Sequence, residues 1–508
     1  MRVLIERCNF WPSGSGSVLV SDGLIERVSR SESQQVSPET TRIDAAGGTL
    51  LPGLVDSHCH PFELGWLRRN VDLRGTSNIT ALRMRVAARA QRAGPGEWIQ
   101  GMGWDHELFP EGRMPTRFDL DDLTPNNPVI LSRVCGHIAL LNTKAIESLR
   151  LGNASGPEYQ TDESKRLTGI IMERALVDAY AGVPGSSASD CAADLAGVEY
   201  EAAKNGLACL HSIMSPDGYR EEMDALVLLA REQRLLVRHR VYVPPDALEL
   251  VDETNAKLSG SSARICGVKL FADGSLGART AALREPYSDE PGNLGLLRYS
   301  DEELAGLVGK ADSSGVQVMI HAIGDRAVEQ AVGALEAVTG GGNPRSHRIE
   351  HASLLPRDLR GRIKKHGIRL AVQPSFIVSD TWAEKRLGPE RVRDLYPLKS
   401  ILREGIVASS GSDSPVESLS VIMGIWAAMA GRPSLPSESL ELAEAVATYT
   451  RNADLNGLES PSSIQEGGVA QLTLLDSAIS GMHPALLRKV SVAATISGGQ
   501  LAYSSFEQ

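Results

Sequence analysis

Residues 50–60 read LLPGLVDSHCH, an apolar run that ends in two histidines one residue apart. Alternation along a strand sends His58 and His60 to one face and Cys59 to the other, so both imidazoles are delivered to one spot. Standing alone, so short a match would be read as two surface histidines. Four further runs change that reading: VKLFADG with Lys269, VMIHAIGD with His321, HRIEHA with His351 and ASSGSDSPV with Asp413. Each carries its polar residue at or just past the end of a short apolar stretch.

Eight such segments alternate with helical stretches: 54–60, 206–213, 235–243, 265–273, 316–322, 347–352, 368–374 and 406–413. Near-continuous apolar strands separated by segments such as DEELAGLVGKADSSG mark a parallel sheet covered on both faces. Eight of them predict an α/β chain built on a (β/α)8 TIM barrel, whose active site sits at the carboxyl ends of the strands. Residues 1–53 and 456–508 each read as strands joined by turns, which predicts a composite β-sandwich assembled from both chain ends. The barrel is then expected over 54–61 and 196–455. Roughly 145 residues separate the first two barrel strands, far more than a βα connection needs, so 62–195 is expected to be an inserted subdomain.

Composition limits the function classes. A chain of 508 residues with 42% hydrophobic and 23% charged residues has ample core and no disordered character. Its formal net charge of -11 and the lack of any basic block disfavour nucleic acid and anionic membrane as partners. Six cysteines, at 8, 59, 135, 191, 209 and 266, show no C-x-x-C spacing, so neither a disulfide framework nor a cysteine zinc site is expected. No signal-like leader and no membrane-length apolar window is read in the sequence, and a cytoplasmic location is expected.

If the barrel forms, His58, His60, Lys269, His321, His351 and Asp413 all face one cavity. Imidazole and carboxylate donors suit zinc, manganese, iron or nickel, with zinc the default. A lysine ammonium would repel a cation, but a neutral lysine amine can add carbon dioxide to give a carbamate, a carboxylate mimic able to bridge two metals. An unmodified lysine paired with an acid would instead give a one-metal site. With two ions, a shared hydroxide would attack a carbonyl, and Asp413 would carry the proton from that water to the departing nitrogen.

At this point the chain resembles the amidohydrolase superfamily, and within it the family 3 amidohydrolases that include N-substituted formamide deformylase-like proteins. The similar stretches run nearly end to end: LPGLVDSHCHP, GWD at 103–105, GHIALLNTKAI, TGIIMERA, VKLFADGSLGARTAAL, YSDEPGNLG, HAIGDRAVE, RIEHA, VQPSF, LYPLKSILREGI and GSDSPVES. The resemblance implies the barrel with its composite β-sandwich and a metal-dependent hydrolase. It matches His58 and His60 to one metal, His321 and His351 to the other, Lys269 to the bridging carboxylated lysine and Asp413 to the catalytic carboxylate. The sequence departs from the pattern at GGVAQL, 467–472, where Gly468 and Gln471 stand for a lysine and an aspartate.

The resulting expectation is a hydrolase of a non-peptide C–N bond in a small-molecule amide or N-substituted formamide, with two zinc ions per chain and a homodimer as the commonest assembly. A one-metal deaminase or cyclic-amide hydrolase is the alternative, and a metal-free barrel acting as a binding protein is the rival from another class. Candidate substrate contacts are His137, Asn142, Arg279 and Trp104, each weighed against a structural role in core packing or a salt bridge. Phe109 is read the same way as Trp104. Asp325 reads as a helix cap, His347 and Arg348 as groups that orient Asp413 or nearby loops, and His211 and His239 as unassigned buried residues.

Overall fold

The computed structural model describes residues 2–134, 138–340, 342–453 and 464–506. It has two compact units, Met1–Phe62 with Leu195–Gln508, and Glu63–Asp194. The first contains eight parallel strands: β1 (Leu54–Cys59), β2 (Leu207–Ile213), β3 (Arg238–Val243), β4 (Ala263–Phe271), β5 (Gln317–Ala322), β6 (Arg348–His351), β7 (Arg369–Val372) and β8 (Ala408–Ser410). They pair in chain order, β1 to β8, every ladder parallel.

These segments are strands because their apolar residues are buried on both faces. In β2 and β1 every residue is buried, as a sheet wrapped by helices requires. The helices between them are begun by local chemistry. Asp301–Ser313 starts with a capping box in which Ser300 and Glu303 satisfy each other's backbone N–H groups. Asp325–Thr339 ends at Gly340, whose φ of 55° suits a residue without a Cβ.

The ring of strands is nearly closed. Beyond the short β8, Asp413 N–H donates to His58 O and His60 N–H donates to Ser414 O, both at 2.7 Å. Asp56 completes the seam, accepting Ser412 Oγ–H at 2.6 Å and Ser412 N–H at 3.0 Å. Gly411 lets the two ends approach, because a Cβ there would lie 2.5 Å from His58 N.

A second sheet in the same unit has eight strands drawn from both chain ends. Leu472–Leu475 joins antiparallel to Thr49–Pro52, and through it Val492–Ser497 and Gln500–Ser504 enter a sheet with Arg2–Phe10, Ser15–Ser21, Leu24–Ser29 and Thr41–Asp44. Its buried cluster mixes Val3, Ile5, Val18 and Leu50 with Leu472, Leu474 and Ile496. Thr473 ties this sheet to the barrel, donating to Gly206 O at 2.7 Å and accepting from Leu54 N–H at 3.3 Å. Gln471, at the position that departs from the expected pattern, is fully buried there, and its carbonyl accepts Gly53 N–H at 2.8 Å.

The unit Glu63–Asp194 carries a six-stranded mixed sheet, in the order Tyr159–Thr161, Leu167–Met172, Ile138–Leu141, Val129–Arg133, Ile99–Trp104, Val71–Asp72. Alternate residues feed two cores: Leu131, Leu140 and Ile170 pack with Trp104 and Phe109, while Ile130, Leu141 and Ile171 pack with Ile146 and Leu176. Among the described residues no helix is long and apolar enough to cross a membrane.

Candidate metal centre

Every side chain of the predicted set leaves the carboxyl end of a barrel strand or the turn just after it. His58 is the last residue but one of β1 and His60 follows the strand, Lys269 lies on β4, His321 on β5, His351 ends β6, and Asp413 lies three residues beyond β8. Two of them reach the cluster by leaving ordinary strand geometry. His351 has φ 68° and Asp413 φ 55°, the left-handed region that non-glycine residues seldom occupy. Such backbone persists where surrounding contacts hold it, here the pairing of Asp413 N–H with His58 O.

The donors converge. His58 Nε2 lies 3.2 Å and His60 Nε2 3.3 Å from Asp413 Oδ1. One ligand atom from each of these three residues lies within 4.8 Å of the others. The ring centroids of His58 and His351 are 4.7 Å apart, and those of His351 and His321 4.5 Å. Lys269 Nζ is 3.2 Å from His58 Nε2, so one cluster holds all six residues.

The remaining ring nitrogens are tied down, which decides which nitrogen is presented. His58 Nδ1 pairs with Glu350 Oε2, His351 Nδ1 with Gln373 Oε1 at 2.7 Å, and His321 Nε2 with Gly274 O at 2.9 Å. That leaves His58 Nε2, His351 Nε2 and His321 Nδ1 toward the cluster. Phe376 stacks on His351 at 6.2 Å between centroids, and Phe271 lies 5.4 Å from His321.

Electrostatics favour ligand-ready states. Burial, then the Lys269 cation, pushes His321 down to about 3, and burial with the neighbouring His321 and His58 pushes His351 well below the usual imidazole value. Both are neutral at physiological pH and keep a lone pair. Burial alone would raise Asp413, but the facing His58 and His60 outweigh it and hold the carboxyl ionised, well below the ordinary range. Burial also brings Lys269 down to about 8, against the pull of Glu350 and Asp413.

The other predicted residues have partners of their own. Arg279 is committed to Asp289, Nη2 to Oδ2 at 2.9 Å, with Glu290 at 3.4 Å. Asn142 caps the helix Thr143–Ser148, accepting from Ala145 and Val129 N–H and donating to Thr124 and Asn127. Trp104 is fully buried and donates its indole N–H to Leu131 O at 2.7 Å. His137 lies outside the described residues. Asp325 occupies the first turn of its helix, where Gly324 is the N-cap, and its carboxylate accepts Arg284 N–H at 2.9 Å, tying a loop down. His347 accepts Val318 N–H at 3.0 Å and faces Asp312, away from Asp413. His239 joins Ser212 and Glu199 in a buried chain. His211 accepts from Arg348 at 2.8 Å.

Sequence reasoning did not single out Glu350 or Gln373. Glu350 was visible as a charged residue inside a buried strand, but period-two alternation assigns Glu350 and His351 to opposite faces. The turned backbone of His351 is what brings its ring to the side that Glu350 already faces.

Similarity to known proteins agrees with this construction. The amidohydrolase family profile matches residues 41–503. A putative amidohydrolase, YtcJ, from Bacillus subtilis (strain 168) is 30% identical over 507 residues, 96% of each chain. An N-substituted formamide deformylase from Arthrobacter pascens is 27% identical, covering 96% of this chain and 94% of its own. The crystal structure of a metal-dependent hydrolase from Pyrococcus furiosus superposes with a TM-score of 0.78 at 32% identity, over 94% of this chain and all of the other. The chain belongs to the amidohydrolase family. It is an enzyme of that hydrolase class, acting on carbon–nitrogen bonds.

Proposed function

We infer that the chain is a metal-dependent hydrolase that cleaves the C–N bond of a small-molecule amide or N-substituted formamide. One observation carries the reading: donors from β1, β5, β6 and the turn after β8 meet at one cluster, three of them within 4.8 Å of one another. Imidazoles, those of His321 and His351 held neutral by burial, and the ionised Asp413 carboxylate are a fitting donor set for a divalent cation, zinc by default. His58, His60 and Asp413 would hold one ion and His321 and His351 a second. Bound there, such ions polarise a scissile carbonyl and acidify water.

The chain's own residues supply the rest. Asp413 takes a proton from the attacking water and returns it to the leaving nitrogen as the C–N bond breaks. Lys269, with its amine brought down to about 8, has a neutral fraction of about a tenth at pH 7; that amine would add carbon dioxide, releasing a proton to solvent, and the resulting carbamate would offer carboxylate-like oxygens to the metal centre. Phe271 and Phe376 flank His321 and His351 and limit water around them. A one-metal deaminase would instead leave Lys269 unmodified, under the pull of the Glu350 and Asp413 carboxylates.

The test is a panel of N-substituted formamides, linear amides and cyclic amides offered to zinc-loaded protein, with formate, carboxylate and amine release measured. Formate release from a formamide supports the reading, and deamination products without any amide or formamide hydrolysis contradict it.

A further inference from the structure

His58 and His351 each give an Nδ1–H to a partner, and the two partners differ in charge. His58 donates to the Glu350 carboxylate, which is fully buried and held by Arg348, Nε to Oε1 at 2.7 Å. Arg348 is itself fixed, donating to His211 Nδ1 at 2.8 Å and Ser57 O at 2.7 Å with its guanidinium 5.2 Å from the Tyr242 ring centroid. His351 donates instead to the Gln373 amide at 2.7 Å, a neutral partner. His321 also faces a neutral acceptor, Gly274 O at 2.9 Å. The Asp273 carboxylate lies farther from His321, at 3.5 Å, and accepts N–H groups from Ala282, Ile323 and Gly324.

An imidazole that donates to an anion is more basic at its other nitrogen than one that donates to a carbonyl or amide, and its ring is held more firmly. The Asp413 carboxylate, beside His58 and His60, adds a second negative charge to the same half of the cluster. We propose that Glu350, held by Arg348, and Gln373 are positioning residues that grade the centre, so that the His58–His60–Asp413 half takes a divalent cation more tightly than the His321–His351 half. The inference rests on the metal-centre reading above. At limiting metal the chain fills the first half and leaves the second exchangeable.

Zinc titration of metal-free full-length protein against a chromophoric chelator tests this, with elemental analysis after dialysis. The wild type is expected to show two classes of site whose affinities differ at least about tenfold, one ion surviving dialysis. Glu350→Gln should weaken the tight class about tenfold to a hundredfold and leave the weak class unchanged. Because that variant leaves Arg348 without its buried counter-charge, Gln373→Glu provides an independent arm. It should tighten the weak class and narrow the gap, a gain that loss of packing does not produce. Two classes of equal affinity in the wild type, or a Gln373→Glu protein with an unchanged weak class, would overturn the gradient. Failure to bind zinc at all would overturn the metal-centre reading itself.

Discussion

Lys269 places its amine 3.2 Å from His58 Nε2, the nitrogen a metal needs, so a protonated amine and an ion compete for one lone pair. Carboxylation would remove the conflict by turning the cation into an anion. Lys269→Ala is therefore expected to be inactive and to regain part of its turnover when short carboxylic acids and zinc are added; full activity without them removes the carbamate from the account. Asp413→Asn should still load zinc supplied in excess, held less tightly than in the wild type, and lose turnover by about 10²–10⁴-fold. Zinc content and steady-state kinetics on the same preparation check both halves of that expectation. The six cluster residues were legible in the sequence because each is a polar group at the end of an apolar run, where a barrel exposes it. The partners that orient them were not, since alternation sends Glu350 and His351 to opposite faces and the left-handed backbone that brings His351 to the side of Glu350 is not encoded in periodicity. Arg279, Asn142 and Trp104 had the composition of pocket residues, but a salt bridge, a helix cap and an indole hydrogen bond engage them.

All eight barrel strands form where apolar runs were read, and the shortest, β8, shows why run length alone is an incomplete guide. Its apolar stretch extends to Asp413, but only Ala408–Ser410 is strand, because Gly411 and the residues after it bend across β1 to close the ring. Gly411→Ala should strain this seam, since its Cβ would meet His58 N at 2.5 Å and His58 Cβ at 2.8 Å. A loss of about 1–3 kcal/mol together with reduced zinc retention is expected from overpacking there. Thermal melts and elemental analysis test it, and a variant equal to wild type in both would mean the seam is loose. After β7, the helix Phe376–Ser379 leads to Asp380, where burial raises the carboxyl to about 6 although Tyr396 donates to it. With the folded value above 3.8, the folded state holds the extra proton between those two pH values, so stability falls as pH rises through that window. Asp380→Asn, which never ionises, should match wild type near about pH 4 and melt at a higher temperature above about pH 6. An equal gain at both pH values would contradict the burial argument.

Across the whole chain, one sheet joins the first and last strands, so the termini are part of the fold that carries the site. Deleting 464–508 removes Leu472, Leu474 and Ile496 from the shared apolar cluster and leaves Thr49–Pro52, whose continuation is β1 with His58, with only its short pairing to Arg2–Phe10. The shortened chain is expected to be insoluble, and a soluble, zinc-binding product would show that the barrel stands without this sheet. The strands at both ends could be read from turn residues and alternation, but their pairing spans more than 400 residues and no local pattern states it. The mixed sheet of 63–194 was likewise unreadable, because its parallel and antiparallel ladders leave no single period in the sequence. The proposed two-metal centre draws its residues from five barrel strand ends. The most direct measurement of it is elemental analysis of protein purified without chelator or tag-borne metal, in bicarbonate. About two divalent ions per chain is the predicted result, and none after reconstitution with zinc would contradict the account.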